Sequence, residues 1–305
     1  MNYGREHAPS KAAPGGAKVT SVAAADCAAT ISTVCIFNTS DAKGGRREEL
    51  DRLFASLSAA NAALGGRRVR HYLLLQNCDE HALAEVAARA PAFTTIRRVD
   101  GRLSLSAARN RLLEEFGAEM GADDVVSFLD DDAWFAPATL EFVVAAFAAA
   151  PELDLFFCRC GSGPAAPPEP AELVDPRLLD LLRYGSSNTL IVRGAVARAV
   201  GRFDEKLGLG TPHGGGEDTD YALRAWTNAR RARFLNARVI GHRDPFQGLR
   251  AQYYRGALAA LARNAASGWR VKLQLVRKVL VGLYLVLRRE HSLATWLQNT
   301  RLAFQ

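Results

Sequence analysis

Three consecutive carboxylates, Asp130, Asp131 and Asp132, end the apolar run of VVSFLDDDAWF (Val125–Phe135). Like charges this close repel one another, so the trio needs either full solvation or a cation among them. Carboxylate oxygens suit hard divalent ions such as Mg²⁺ or Mn²⁺, and an ion held by one or two of them can in turn hold a diphosphate. A second acidic pair, Glu217 and Asp218, follows three glycines in GGGEDTDYALR (Gly214–Arg224), where the pattern starts a helix. A carboxylate beside free-moving glycines suits a general base that meets its substrate when a loop closes. Both motifs also have ordinary readings, as a solvated turn and as an acidic first turn favoured by the helix dipole. His242, in GHRDP, is either a further metal ligand or a turn residue. Arg109, in SLSAARN (Ser104–Asn110), falls on an early helical turn, where its guanidinium would pair with phosphate or with the aspartates.

The surrounding elements place these groups. TISTVCIFN (Thr30–Asn38), VRHYLLLQN (Val69–Asn77), FTTIRRV and VVSFLDDD read as strands. Between them the apolar spacing predicts helices over 46–63, Glu80–Ala90, Ser106–Phe116 and Pro137–Ala150, with Ser104 or Ser106 as a cap for the third. This alternation predicts an α/β fold, a mostly parallel central sheet with helices on both faces, whose ligands gather at the carboxyl ends of the strands. The aspartates stand at such an end. SSNTLIVRG and RARFLNARVIGHRDP read as later strands, and Gly161–Pro176 as a flexible crossing loop. Residues 1–28, rich in Ala, Gly, Pro and Ser, are expected to be disordered; 29–249 form the catalytic domain and 250–305 a basic, amphipathic helical extension.

Bulk properties narrow the class. At 305 residues, with 49% hydrophobic and 23% charged residues, the chain has the composition of a soluble globular protein. Five scattered cysteines do not make a disulfide framework, and Cys158 and Cys160 read as buried apolar residues more than as a zinc pair. Without a secretory signal or an apolar run of about 20 residues, a cytoplasmic protein is expected. From Trp226 onward, fifteen Lys/Arg stand against two Asp/Glu, leaving the front of the chain net acidic. This asymmetry suggests cation binding in one part and contact with an anionic surface or substrate in the other. The stretch GWRVKLQLVRKVLVGLYLVLRR (residues 268–289) would pack on the domain, pair with another subunit as a homo-oligomer, or lie peripherally on the inner face of an anionic membrane.

Taken together, the motifs resemble the family 2 inverting glycosyltransferases of the GT-A fold. LSAARN resembles that family's "sxARN" helix, FLDDDAWFAPATLE its D-x-D segment, and GRFDEKLGLG…GGGEDTDYALR its "GxFDExxG…gEDxDxxxR" segment, in the same order over about residues 30–245. The resemblance implies metal-dependent transfer of a sugar from a nucleoside-diphosphate sugar to a hydroxyl of a glycan or lipid-linked acceptor. It implies Asp218 as the base with Glu217 beside it, and Asp132 as the metal ligand with His242 as a further contact. Asp130 would touch the ribose, with Asp131, Arg109 and Asn38 also on the nucleotide. One departure stands out. Where the family has a base-reading aspartate after its second strand, LLLQNCDE places Gln76, with Asp79 three residues later, so the nucleobase is left open. Three other readings remain: a catalytically silent partner of the same fold, a nucleotidyltransferase, and a nucleic-acid-binding protein. The last leaves the acidic motifs unexplained, and no nucleic acid is expected.

Overall fold

The computed structural model describes residues 17–19, 33–65, 68–244 and 253–304. Its strands are β1 (Ala17–Val19), β2 (Val34–Asp41), β3 (Val69–Gln76), β4 (Thr94–Arg98), β5 (Val125–Asp130), β6 (Trp134–Phe135), β7 (Leu153–Gly161), β8 (Ala171–Val174), β9 (Leu190–Arg193) and β10 (Arg231–Gly241). Its α-helices are α1 (Arg47–Ala63), α2 (Glu80–Arg89), α3 (Leu105–Phe116), α4 (Thr139–Ala149), α5 (Leu178–Tyr184), α6 (Gly194–Val200), α7 (Glu217–Asn228), α8 (Tyr254–Arg263), α9 (Trp269–Leu287) and α10 (Leu293–Ala303).

One sheet runs in the order β1-β8-β10-β7-β9-β5-β2-β3-β4, with β6 paired to β10. Strands β4, β3, β2 and β5 are parallel neighbours. Beyond β5 the sheet becomes mixed, because β9 inserts antiparallel between β5 and β7 and β8 runs antiparallel to β10. The expected α/β sheet and C-terminal helices are present, with the parallel part forming the half that carries the aspartates.

The apolar runs of β2, β3 and β5 are buried on both faces, and alternate residues feed two layers. Val34, Ile36, Leu73, Leu75, Val125 and Leu129 enter one, with Leu53 and Leu57 of α1 and Val143 and Phe147 of α4. Cys35, Phe37, Tyr72, Leu74, Val126 and Phe128 enter the other, with Leu112 and Phe116 of α3 and Tyr221 and Leu223 of α7. Each such fully buried Leu or Phe contributes roughly 1.5–3 kcal/mol by leaving water.

Two expectations change. Ala171–Val174, within the segment read as a crossing loop, is a strand, and Ala17–Val19 of the N-terminal segment pairs with it antiparallel. The rest of residues 1–28 lies outside the described residues. The C-terminal helices build a third, smaller core from Leu207, Tyr254, Leu258, Leu285 and Ala303.

Candidate active site

Asp130 ends β5 at the carboxyl edge of the parallel strands, paired in register with Thr39 of β2. Ser104 caps α3, its side chain accepting from the Ala107 N–H at 3.3 Å, and this sets Arg109 on the second turn facing the edge. Arg109 is only 2% exposed. Its guanidinium donates to Asp130 Oδ1 and to Asp218 Oδ1, both at 2.9 Å. Residues 109 apart in the chain are thereby joined by one rigid fork.

Each of the three aspartates has its own protein partners. Asn188 takes Asp130 from both sides: its Oδ1 accepts from the Asp130 N–H at 2.7 Å and its Nδ2 donates to Asp130 Oδ2 at 2.9 Å. Asp131 accepts from Ser40 Oγ at 2.7 Å and from Arg46 at 2.5 Å, which ties the end of β5 to the end of β2 and the start of α1. Asp132 meets Arg243 at 2.8 Å, Arg46 at 3.5 Å and His242 Nε2 at 3.4 Å. The trio is therefore tolerated through these partners, with Arg46 shared by Asp131 and Asp132, before any ligand arrives.

One atom is left over. Asp132 Oδ1 is buried without a hydrogen-bond partner. His242 Nδ1 lies 3.0 Å from the Arg243 carbonyl, so when Nδ1 carries the proton the Nε2 lone pair faces this oxygen. Two lone pairs face to face require a proton or a cation between them. Ligand atoms of Asp130, Asp132 and His242 all lie within 4.8 Å of one another. Two carboxylates and an imidazole are a donor set that Mg²⁺ or Mn²⁺ accepts, and the orphaned oxygen fits it. The contact with Asp132 raises the His242 pKa against its burial. For Asp132, burial pushes the pKa up, but His242, Arg46 and Arg243 together hold it below the usual value.

Glu217 and Asp218 open α7, and they differ in access. Glu217 is 7% exposed, whereas the Asp218 side chain is 28% exposed. Burial, and then the charge of Asp218, raise the Glu217 pKa to about 7 from 4.5. Asp130 is raised as well, first by burial, with Arg109 opposing. One guanidinium thus faces three carboxylates, which leaves surplus negative charge. A raised glutamate favours the folded state when protonated: that stability is complete below pH 4.5 and is lost as pH rises through about 7. Glu217→Gln is therefore expected to flatten the pH dependence of folding and to be more stable than wild type at pH 8 by on the order of 2–3 kcal/mol. Urea denaturation of both proteins at pH 5 and pH 8 measures this.

The triglycine serves close packing. Gly214, Gly215 and Gly216 all have positive φ, of 66°, 158° and 94°. A Cβ on Gly215 would meet the Tyr253 ring at 2.7 Å, and one on Gly216 would meet the Gly256 carbonyl oxygen at 2.2 Å. Of the segment read as a free-moving hinge, Gly215 and Gly216 are packed against the start of α8, while a Cβ on Gly214 would meet nothing within 4 Å. Asn264, which caps the C-terminus of α8, adds a hydrogen bond to Asp220 at 2.7 Å.

Other expected site residues are dispersed along the same edge. Gln76 ends β3, and its Oε1 accepts from the Leu103 N–H at 2.7 Å. It lies two strand spacings across the sheet and two residues along it from Asp130, roughly 12 Å away. Asn38 donates to the Leu129 carbonyl, with its Oδ1 buried and unpartnered. Asp79 caps α2, accepting from the Ala82 N–H at 2.8 Å. Arg46, Asn188 and Arg243 escaped the sequence reading. Arg243 had a signal in its place next to His242, and Arg46 in following a glycine pair at a helix start. A cavity of roughly 220 Å³ beside Asp132 is lined by Arg46, Glu49, Arg52, Asp132, Trp134, Ser162, His242 and Arg243. Its three arginines outnumber its two carboxylates, a balance that suits an anion.

No family profile and no curated protein matches the sequence. Solved structures do. Residues 1–349 of S. aureus TarS superpose with a TM-score of 0.55 at 16% identity, over 81% of this chain and 68% of that one. The same region in complex with UDP-GlcNAc gives a TM-score of 0.57 at 15% identity, over 81% and 69%. A longer TarS structure gives 0.53 at 16% identity, over 89% of this chain and 55% of that one. The arrangement of strands and helices in this chain is thus shared with residues 1–349 of TarS.

Proposed function

We propose that the protein is a metal-dependent, inverting glycosyltransferase that moves a sugar from a nucleoside-diphosphate sugar to a hydroxyl of a glycan or lipid-linked acceptor. The observation that carries this reading is the meeting of two functions at Arg109: one arm holds Asp130 of the Asp130–Asp132–His242 cluster, and the other holds Asp218. A TarS structure of the same fold is a complex with UDP-GlcNAc, which supports a nucleotide sugar as donor. Asp132 and His242, with Asp130 beside them, would hold Mg²⁺ or Mn²⁺. Bound there, such an ion supplies positive charge against the diphosphate. Arg46, Arg52 and Arg243 would add charge from the cavity wall. Gln76, roughly 12 Å from Asp130 at the same sheet edge, would meet the nucleobase.

In the transfer, Asp218 Oδ2, the oxygen that Arg109 does not engage, takes the proton from the acceptor hydroxyl. The acceptor oxygen forms its bond to the anomeric carbon as the bond from that carbon to the phosphate oxygen breaks. The electron pair leaves with the nucleoside diphosphate on the opposite face, so the configuration inverts. Glu217, buried beside Asp218 at the start of α7, would shape the acceptor side of the pocket.

Thermal unfolding with UDP, GDP, dTDP or CDP, each with and without Mn²⁺, tests the donor site. Ligand binding only the folded state stabilises it by about 2.7 kcal/mol at a hundred times Kd. The expected result is an Mn²⁺-dependent rise with one nucleotide that Asp132→Ala abolishes. A rise that survives Asp132→Ala removes the metal assignment, and no rise with any nucleotide removes the donor site.

A further inference from the structure

The geometry points to helices α9 and α10 as a docking face for an anionic lipid surface. Trp269, Leu273, Val276, Leu280, Tyr284 and Leu287 of α9 are each at least half exposed. At 3.6 residues per turn, these six fall within about 80° of one another around the helix. The opposite face, with Val271, Gly282 and Leu285, is the one buried against the protein. Helix α10 adds Leu293 and Leu297, and Phe304 follows its end, all more than half exposed. A band of this size on a folded surface marks an interaction site, since isolated exposed apolar residues do not line up along a helix.

Charge decides what covers it. Residues 268–305 carry seven Lys/Arg and one Glu. Arg270, Arg277 and Arg288 flank one side of the stripe and Lys272 the other, with Arg270 stacked over Trp269 at 5.6 Å. A second copy of the same helix would bring these basic flanks together, where a coiled coil needs opposite charges. Lipid phosphates at the edge of an apolar layer complement both features at once. Among the described residues no helix is long and apolar enough to cross a membrane. The helix therefore lies in the surface plane, its stripe among the acyl chains and its basic flanks at the headgroups.

Flotation of the full chain with vesicles tests this. The probes are pure phosphatidylcholine vesicles and vesicles containing about one third phosphatidylglycerol. The expected result is flotation with the second alone, reduced by salt, and about tenfold weaker binding for Leu273→Ser/Leu280→Ser/Leu287→Ser at an unchanged thermal midpoint. These side chains are exposed, so the midpoint reports that the variant is folded. Binding equal on both vesicles, or unaltered in the variant, overturns the proposal. So does a wild-type dimer that the variant turns into a monomer, because a second copy would then cover the stripe.

Discussion

Asp218→Asn is expected to lower kcat by about 10²–10⁴-fold, the usual contribution of a positioned general base, while nucleotide binding persists. The amide oxygen of the new side chain can still accept from Arg109, so the fork that holds α7 against α3 survives. What is lost is the oxygen that receives the acceptor proton. Glu217→Gln is expected to cost much less, because Glu217 is far less exposed than Asp218. Initial rates with saturating donor, together with the nucleotide-induced rise in melting temperature, separate the outcomes. If Asp218→Asn loses nucleotide binding together with activity, Asp218 holds the site together and another group is the base.

The largest effect on stability is expected at Arg109. Arg109→Met leaves Asp130 and Asp218 without their shared partner in a poorly solvated site. Removing one member of a buried ion pair costs about 3–5 kcal/mol, since the remaining charges stay behind. Arg109→Lys restores a charge without the fork: one ammonium cannot reproduce two fixed contacts of 2.9 Å. It should recover part of the stability yet remain about 10²-fold less active, because the base and the donor carboxylate lose their fixed spacing. Denaturant unfolding and transfer rates of the three proteins measure both effects. Equal stability of Arg109→Met and wild type would mean that the carboxylates find other partners.

The strands and helices around the site were legible because their apolar residues are buried on both faces of a parallel sheet, a dense local signal. Residues 46–63 read as a helix and fold as Arg47–Ala63. Asp130, Asp132 and His242 were legible by type, and the structure brings their ligand atoms together. Their partners were not. Arg46 reaches Asp131 across 85 residues and Asn188 reaches Asp130 across 58, distances over which no periodicity carries information. Strand β8 was missed because its pairing depends on the backbone of β10, and a Pro-rich sequence hides that. The glycines of 214–216 read as mobility because a missing side chain looks the same whether it frees the chain or lets two backbones touch.

That contact also limits how the sequence can vary. A Cβ at Gly216 strikes the Gly256 backbone at 2.2 Å, and one at Gly256 strikes the Gly215 carbonyl oxygen at 2.2 Å. Neither collision involves a side chain that a second substitution could shorten. The two glycines therefore constrain one another across 40 positions as an inherited pair. A descendant that gains a side chain at either one must also give up the docking of α8 beside the acidic start of α7. The glycines before Glu217 and the tail that begins near Tyr253 should be kept together or lost together.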